Sequence, residues 1–124
     1  MEKPYASKTE AAIAGMFTHH GIGFRYEYPM AVLDRGRTRL WYPDMWLPEH
    51  GVIVEYNGMP ENADCRARQE HKKLVYAELG LPAMFLEPTD LRGYWAGKVL
   101  DWVEATQRSR LSKLRHARSN GGQF

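Results

Sequence analysis

A chain of 124 residues with 44% hydrophobic, 26% charged and 12% aromatic side chains is long enough to bury one core and too short to divide into two. Its net charge of +2 is modest, its one cysteine, Cys65, excludes an intrachain disulfide or a cysteine metal cluster, and no apolar run reaches bilayer length. The opening MEKPYASKTE lacks a signal-peptide core, so the expectation is a cytoplasmic protein with no membrane partner. A single domain is expected over residues 1–118, followed by a flexible tail over 119–124.

Ser7-Lys8-Thr9-Glu10 has the form of a capping box ahead of an apolar spacing at Ile13, Met16 and Phe17, which predicts a helix closed by Gly21. Phe24 to Val32 reads as a strand, with Pro29 marking an edge or a bend. Asp34-Arg35-Gly36-Arg37 predicts a hairpin turn, and Thr38 to Tyr42 the returning strand. Pro48-Glu49-His50-Gly51 turns the chain into a strand over Val52 to Tyr56. Ala67, Leu74, Val75 and Leu79 then fit an amphipathic helix over 63–79, stopped by Gly80. Ala83 to Leu86 reads as a short buried strand, parallel to Val52–Tyr56 through a right-handed crossover. Thr89 is placed to cap a last helix with the stripe Trp95, Val99, Trp102 and Val103, extended by Leu111 and Leu114. The order α-β-β-β-α-β-α predicts an α/β fold, a mixed sheet flanked by helices.

The segment YPDMWLPEHGVIVEYNG carries the chemistry. Asp44 follows a proline at the end of one apolar run, and Glu55 lies inside the next. Strand alternation puts Val52, Val54 and Tyr56 on one face and Ile53, Glu55 and Asn57 on the other. A carboxylate inside an apolar strand needs a partner that offsets its desolvation. A divalent cation held between Asp44 and Glu55 is one such partner, and a buried salt bridge to an arginine is another. Asp44 alone also fits a turn residue after Pro43, and Glu10 fits a capping box on Ser7.

Around this acidic centre lie three basic clusters: Arg35, Arg37 and Arg39; Arg66, Arg68, Lys72 and Lys73; and Arg108, Arg110, Lys113, Arg115 and Arg118. Cations flanking carboxylates suit a polyanionic substrate whose phosphates need the one and whose metal needs the other. Each cluster taken singly also fits a solvated face. His19 and His20 suit a helix C-terminus, His50 a turn and His71 a polar helix face, none with metal-ligand spacing. Trp41, Trp46, Trp95 and Trp102 read as core or subunit-interface residues.

Glu10 in the first helix, Pro43-Asp44 and Val54-Glu55, with Gly21-Ile22-Gly23-Phe24-Arg25-Tyr26-Glu27, Leu47-Pro48, Gly51 and Gly58 between and beside them, resemble the PD-(D/E)XK nuclease superfamily. Within it the chain is most similar to the bacteriophage endonuclease I type of Holliday junction resolvase, over roughly residues 7 to 86 and more weakly through Asp64, Arg66 and Lys72-Lys73. The resemblance implies a restriction-endonuclease-like fold and a Mg2+-dependent endonuclease, with Mn2+ substituting. The metal ligands it implies are Asp44, Glu55, the backbone carbonyl of Tyr56, and Glu10 directly or through water. It also implies a homodimer that cuts branched or four-way-junction DNA, in which Glu10 could serve the partner's site, and a phage-encoded protein acting in its host's cytoplasm is compatible with it.

The superfamily's lysine, two residues after the second carboxylate, is Asn57 here. An ammonium there orients the attacking water and stabilises the anionic transition state. Asparagine can position water by hydrogen bonding, and Lys72, Lys73 or Arg68 from the following helix could supply the charge. The expected catalytic set is Glu10, Asp44, Glu55, Asn57 and Lys72, with Arg35, Arg37, Arg39, Arg66, Arg68, Lys73, Arg108, Arg110, Lys113, Arg115 and Arg118 contacting DNA. EYNG after a Leu-Pro turn also looks like Vsr-type and restriction-like nicking enzymes, although Met59 to Asp64 holds no histidine. The non-enzymatic alternative is a DNA-binding module on the nuclease fold.

Overall fold

A computed structural model describes residues 5–119, with side chains described as far as His116. The tail expected at 119–124 falls at the edge of this range: the last helix includes Ser119, and residues 120–124 lie outside the described residues.

Helix α1 (Lys8–His19) begins where expected, with Ser7 in extended backbone as its N-cap accepting the amide of Glu10. A four-stranded mixed sheet follows, in the order β1 (Arg25–Tyr26), β4 (Met45–Leu47), β5 (Val52–Tyr56) and β6 (Ala83–Leu86). β1, β4 and β5 pair antiparallel, while β5 and β6 run parallel with Glu55 opposite Phe85. Helix α2 (Ala63–Glu78) makes the crossover between β5 and β6, capped by the Asn62 side chain on the amide of Cys65. A 3-10 turn over Pro88–Leu91 leads to α3 (Trp95–Ser119).

The single strand expected over 24–32 is two strands. Pro29 has no amide to give a ladder, and Glu27 takes a left-handed φ of 49° while its amide donates to the carbonyl of Asp44. The chain therefore leaves the main sheet and forms β2 (Met30–Asp34), which pairs only with β3 (Arg37–Trp41) as a separate hairpin. The turn at Arg35-Gly36 is as expected, with φ of 51° and 76° at the two residues, the twist that a two-residue hairpin turn demands. Thr89 does not cap the last helix. Glu87 and Asp90 close a capping box around the 3-10 turn instead, and α3 starts at Trp95, six residues after Thr89.

The two faces of the sheet are covered differently. Val52, Val54, Met45, Leu47 and Leu86 pack with Ile13, Ala14, Met16 and Phe17 of α1 and with Val99 and Val103 of α3. Each of the larger side chains among them, buried from water, contributes roughly 1.5–3 kcal/mol. Opposite them Ile53 and Glu55 meet α2, whose buried residues are Val75 and Tyr76. Leu74, expected in that stripe, is 64% exposed, as are Leu111 and Leu114 to similar or lesser extent on α3. Among the described residues no helix is long and apolar enough to cross a membrane.

Candidate active site

The start of β4 and the end of β5, in the middle of the sheet, bring the two carboxylates together where β5 meets α2. Met45 pairs with Val54, so Asp44 and Glu55 come next in register and share a face. The ladder is finished there by side chains: the Asp44 amide donates to Glu55 Oε1 at 2.9 Å, and the Tyr56 amide donates to Asp44 Oδ2 at 2.7 Å. Each carboxylate thus anchors the other's strand. Glu55 is 1% exposed, and its second oxygen accepts from the Tyr76 hydroxyl at 2.8 Å and pairs with Lys72 Nζ at 3.3 Å. Lys72 and Tyr76 stand four residues apart, so one face of α2 presents both.

The electrostatics follow from this packing. Burial, then the Glu55 charge, push the Asp44 carboxyl up to about 7; the Tyr56 amide and the Lys72 ammonium act against that rise, and Glu10 adds to it. Burial and the Glu55 charge also raise the Tyr76 hydroxyl well above the ordinary phenol range, so it remains a donor. Among the described residues one lysine meets two carboxylates, which leaves the centre short of positive charge. Two hard oxygen donors on one face, still repelling each other, are donors of the kind that Mg2+ takes.

Glu10 on α1 is held by hydroxyls outside the Asp44–Glu55 pair. It is buried, and its oxygens accept from the Ser7 hydroxyl at 3.3 Å and the Tyr26 hydroxyl at 3.0 Å. Its charge is felt at Asp44, yet among the described residues no three His, Cys, Asp or Glu side chains converge closely enough to hold an ion by themselves. Asn57 is also buried, but its side-chain oxygen accepts the Met59 amide at 3.0 Å and shapes the loop after β5. The cation beside Glu55 comes from Lys72 on α2.

The basic residues divide by what they touch. Arg35 and Arg37 are exposed at the hairpin tip, and Arg39 reaches Asp34 at 3.5 Å. Arg66 donates twice to the Pro60 carbonyl, Arg68 to the Cys65 sulfur, and Lys73 pairs with Glu70 and lies over the Phe85 ring. Arg108 pairs with Glu104, and Arg110 donates to the carbonyls of His50 and Gly51, tying α3 to that turn. Lys113 and Arg115 are exposed on α3; the Arg118 side chain lies outside the described residues.

Three contacts escaped the sequence. Tyr76 on Glu55 and Tyr26 on Glu10 are phenols that a buried carboxylate calls for, and Tyr76 was findable as the residue one turn beyond Lys72. His71, expected on a polar face, donates through Nε2 to both oxygens of the buried Asp34 at 3.0 Å, holding that carboxyl below its usual range. No protein-family model, curated protein or solved structure matches the chain.

Proposed function

We propose that this protein is a Mg2+-dependent, structure-selective DNA endonuclease on a restriction-endonuclease-like fold, hydrolysing phosphodiester bonds at branched DNA in the manner of a Holliday junction resolvase. The observation that carries the reading is Glu55. A carboxylate 1% exposed in the middle of a strand, faced by Asp44 and balanced only in part by Lys72, costs several kcal/mol of desolvation that a purely structural strand would avoid by using valine.

A bound Mg2+ would supply an activated water and neutralise charge on the phosphate. Asp44 and Glu55 would hold it, with the Tyr56 carbonyl as a third oxygen and Glu10 through water. Tyr76 fixes Glu55 by a hydrogen bond from a hydroxyl that stays protonated. Lys72 is paired with Glu55, and in place of the missing strand lysine its ammonium would offer the attacking water a hydrogen bond and the anionic transition state a countercharge. The exposed arginines of the hairpin tip and of α3 are suited to phosphates rather than to bases, which fits recognition of shape. Resolving a junction takes two equivalent incisions, hence a homodimer.

The test is cleavage of a labelled four-way junction against linear duplex of the same sequence, in Mg2+ and in EDTA. Paired incisions confined to the junction and dependent on Mg2+ are expected. Cutting of linear duplex at a defined site would transfer the protein to the restriction or mismatch-nicking class, and tight binding without cutting would make it a DNA-binding module.

A further inference from the structure

A cavity of about 400 Å3 opens between the hairpin and α2, lined by Asp34, Trp41, Ala67, Arg68, His71 and Lys72. It adjoins the carboxylate centre through a shared side chain, because Lys72 lines the cavity and also pairs with Glu55 at 3.3 Å. Its walls are mainly apolar and are held in place. The Trp41 ring packs edge-to-face against Tyr76 with centroids 5.6 Å apart, and against His71 at 6.1 Å. His71 is in turn fixed by both oxygens of Asp34. Two cationic side chains, Arg68 and Lys72, complete the lining.

An apolar aromatic wall with cations beside it matches a flat aromatic group carried on an anionic tether. We propose that this cavity receives a single nucleobase, unstacked from the DNA, adjacent to the phosphate presented to Asp44 and Glu55. The proposal rests on the nuclease reading and extends it to the substrate. The volume lies within the range of roughly 300–1,000 Å3 in which small-ligand pockets fall, enough for a base with part of its sugar. Stacking on an indole is tolerant of base identity because every base has a π-face, and Arg68 adds a planar cation. A base inside a regular duplex is held by its neighbours, whereas one at a branch point leaves the stack at lower cost. Preference for branched DNA then has a source within one subunit, in addition to its symmetry.

Binding of a fluorescent four-way junction, measured by anisotropy in EDTA so that no cutting intervenes, provides the test. Abasic residues are placed one at a time at the nucleotides flanking the branch, and wild type is compared with Trp41→Ala and, because Trp41 also supports the hairpin, with Arg68→Ala. At one position the abasic junction should bind wild type about tenfold more weakly. The variants should bind the intact junction more weakly and no longer distinguish it from the abasic one. Losses that simply multiply, or no position that responds, overturn the proposal. Cutting in Mg2+ is scored separately. Cutting without base-dependent binding removes the cavity's role alone, base-dependent binding without cutting removes the nuclease reading alone, and no DNA binding removes both.

Discussion

Replacing Lys72 by methionine keeps the aliphatic stem and deletes the cation that, among the described residues, meets Glu55. The carboxylate is 1% exposed and the lysine side chain 31% exposed, so the pair lies between two regimes. Breaking a wholly buried pair costs about 3–5 kcal/mol, and a surface pair is worth at most about 1 kcal/mol. The solvated side of the ammonium, together with the Tyr76 hydroxyl and Asp44 amide that still serve Glu55, places the loss at about 1–2 kcal/mol. For a chain of this size that lowers the melting temperature by roughly 3–10 °C. Catalysis should suffer far more. Removing a charge that stabilises the transition state costs on the order of 10²–10⁴ in rate, or about 3–5 kcal/mol. The affinity for Mg2+ should move the other way, because Asp44 and Glu55 lose a competing cation. A thermal melt reads the stability, single-turnover incision at saturating Mg2+ and well below the melting temperature reads the rate, and a parallel Mg2+ titration reads the affinity. A rate within about threefold of wild type, with only stability reduced, would refute the assignment of Lys72 to the chemistry.

Other consequences follow from the same contacts. Because the folded protein raises Asp44 from 3.8 to about 7, ionising it opposes folding: its contribution is intact below pH 4 and is lost as pH rises through 7. Denaturant titrations in EDTA should show a fall on the order of 3–4 kcal/mol between those limits, absent in Asp44→Asn and reduced by Mg2+; an equal fall in the variant contradicts the shift. Tyr76→Phe leaves Glu55 without its phenolic donor and should cost about 1–2 kcal/mol in chemical denaturation, with incision slowed; an unchanged stability would show that the hydroxyl is idle. Gly36→Ala meets no neighbouring atom within 4 Å but must hold a φ of 76°, so its cost is purely conformational, about 1 kcal/mol. A stabilised Gly36→Ala protein would mean that the turn has a different geometry.

What the sequence disclosed depended on whether the signal was local. Val52–Tyr56 and Ala83–Leu86 were legible because an apolar run between turn residues has few other uses, and the hairpin because Arg35-Gly36 offers the chain a two-residue turn. β4 was not legible: Met45-Trp46-Leu47 is too short to alternate and lies between prolines 43 and 48, so it becomes a strand through its pairing with Val52–Val54 on one side and Arg25–Tyr26 on the other. Tertiary packing also chose which side of α2 to bury, turning Tyr76 inward and Leu74 outward, where hydropathy alone favours leucine. Asp44 and Glu55 could be named as a pair because strand alternation gives a mid-strand carboxylate a side. Lys72 could be named only as one of several replacements for the missing strand lysine, since helix position does not fix which of Arg68, Lys72 and Lys73 faces β5. The Asp34–His71 contact joins residues 37 apart, and no local pattern announces it.

The Glu55 carboxylate is held by the Asp44 amide and the Asp44 carboxylate by the Tyr56 amide, so a charge-removing change of the same shape tests chemistry with the least disturbance of the fold. The most direct measurement is Mg2+-dependent incision of a four-way junction by wild type and by Glu55→Gln, with junction binding measured on the same preparations. If Asp44 and Glu55 hold the catalytic metal, wild type makes paired incisions that vanish in EDTA, and Glu55→Gln binds the junction but does not cut it. Incision by Glu55→Gln at the wild-type rate, or incision by wild type that persists in EDTA, would contradict it.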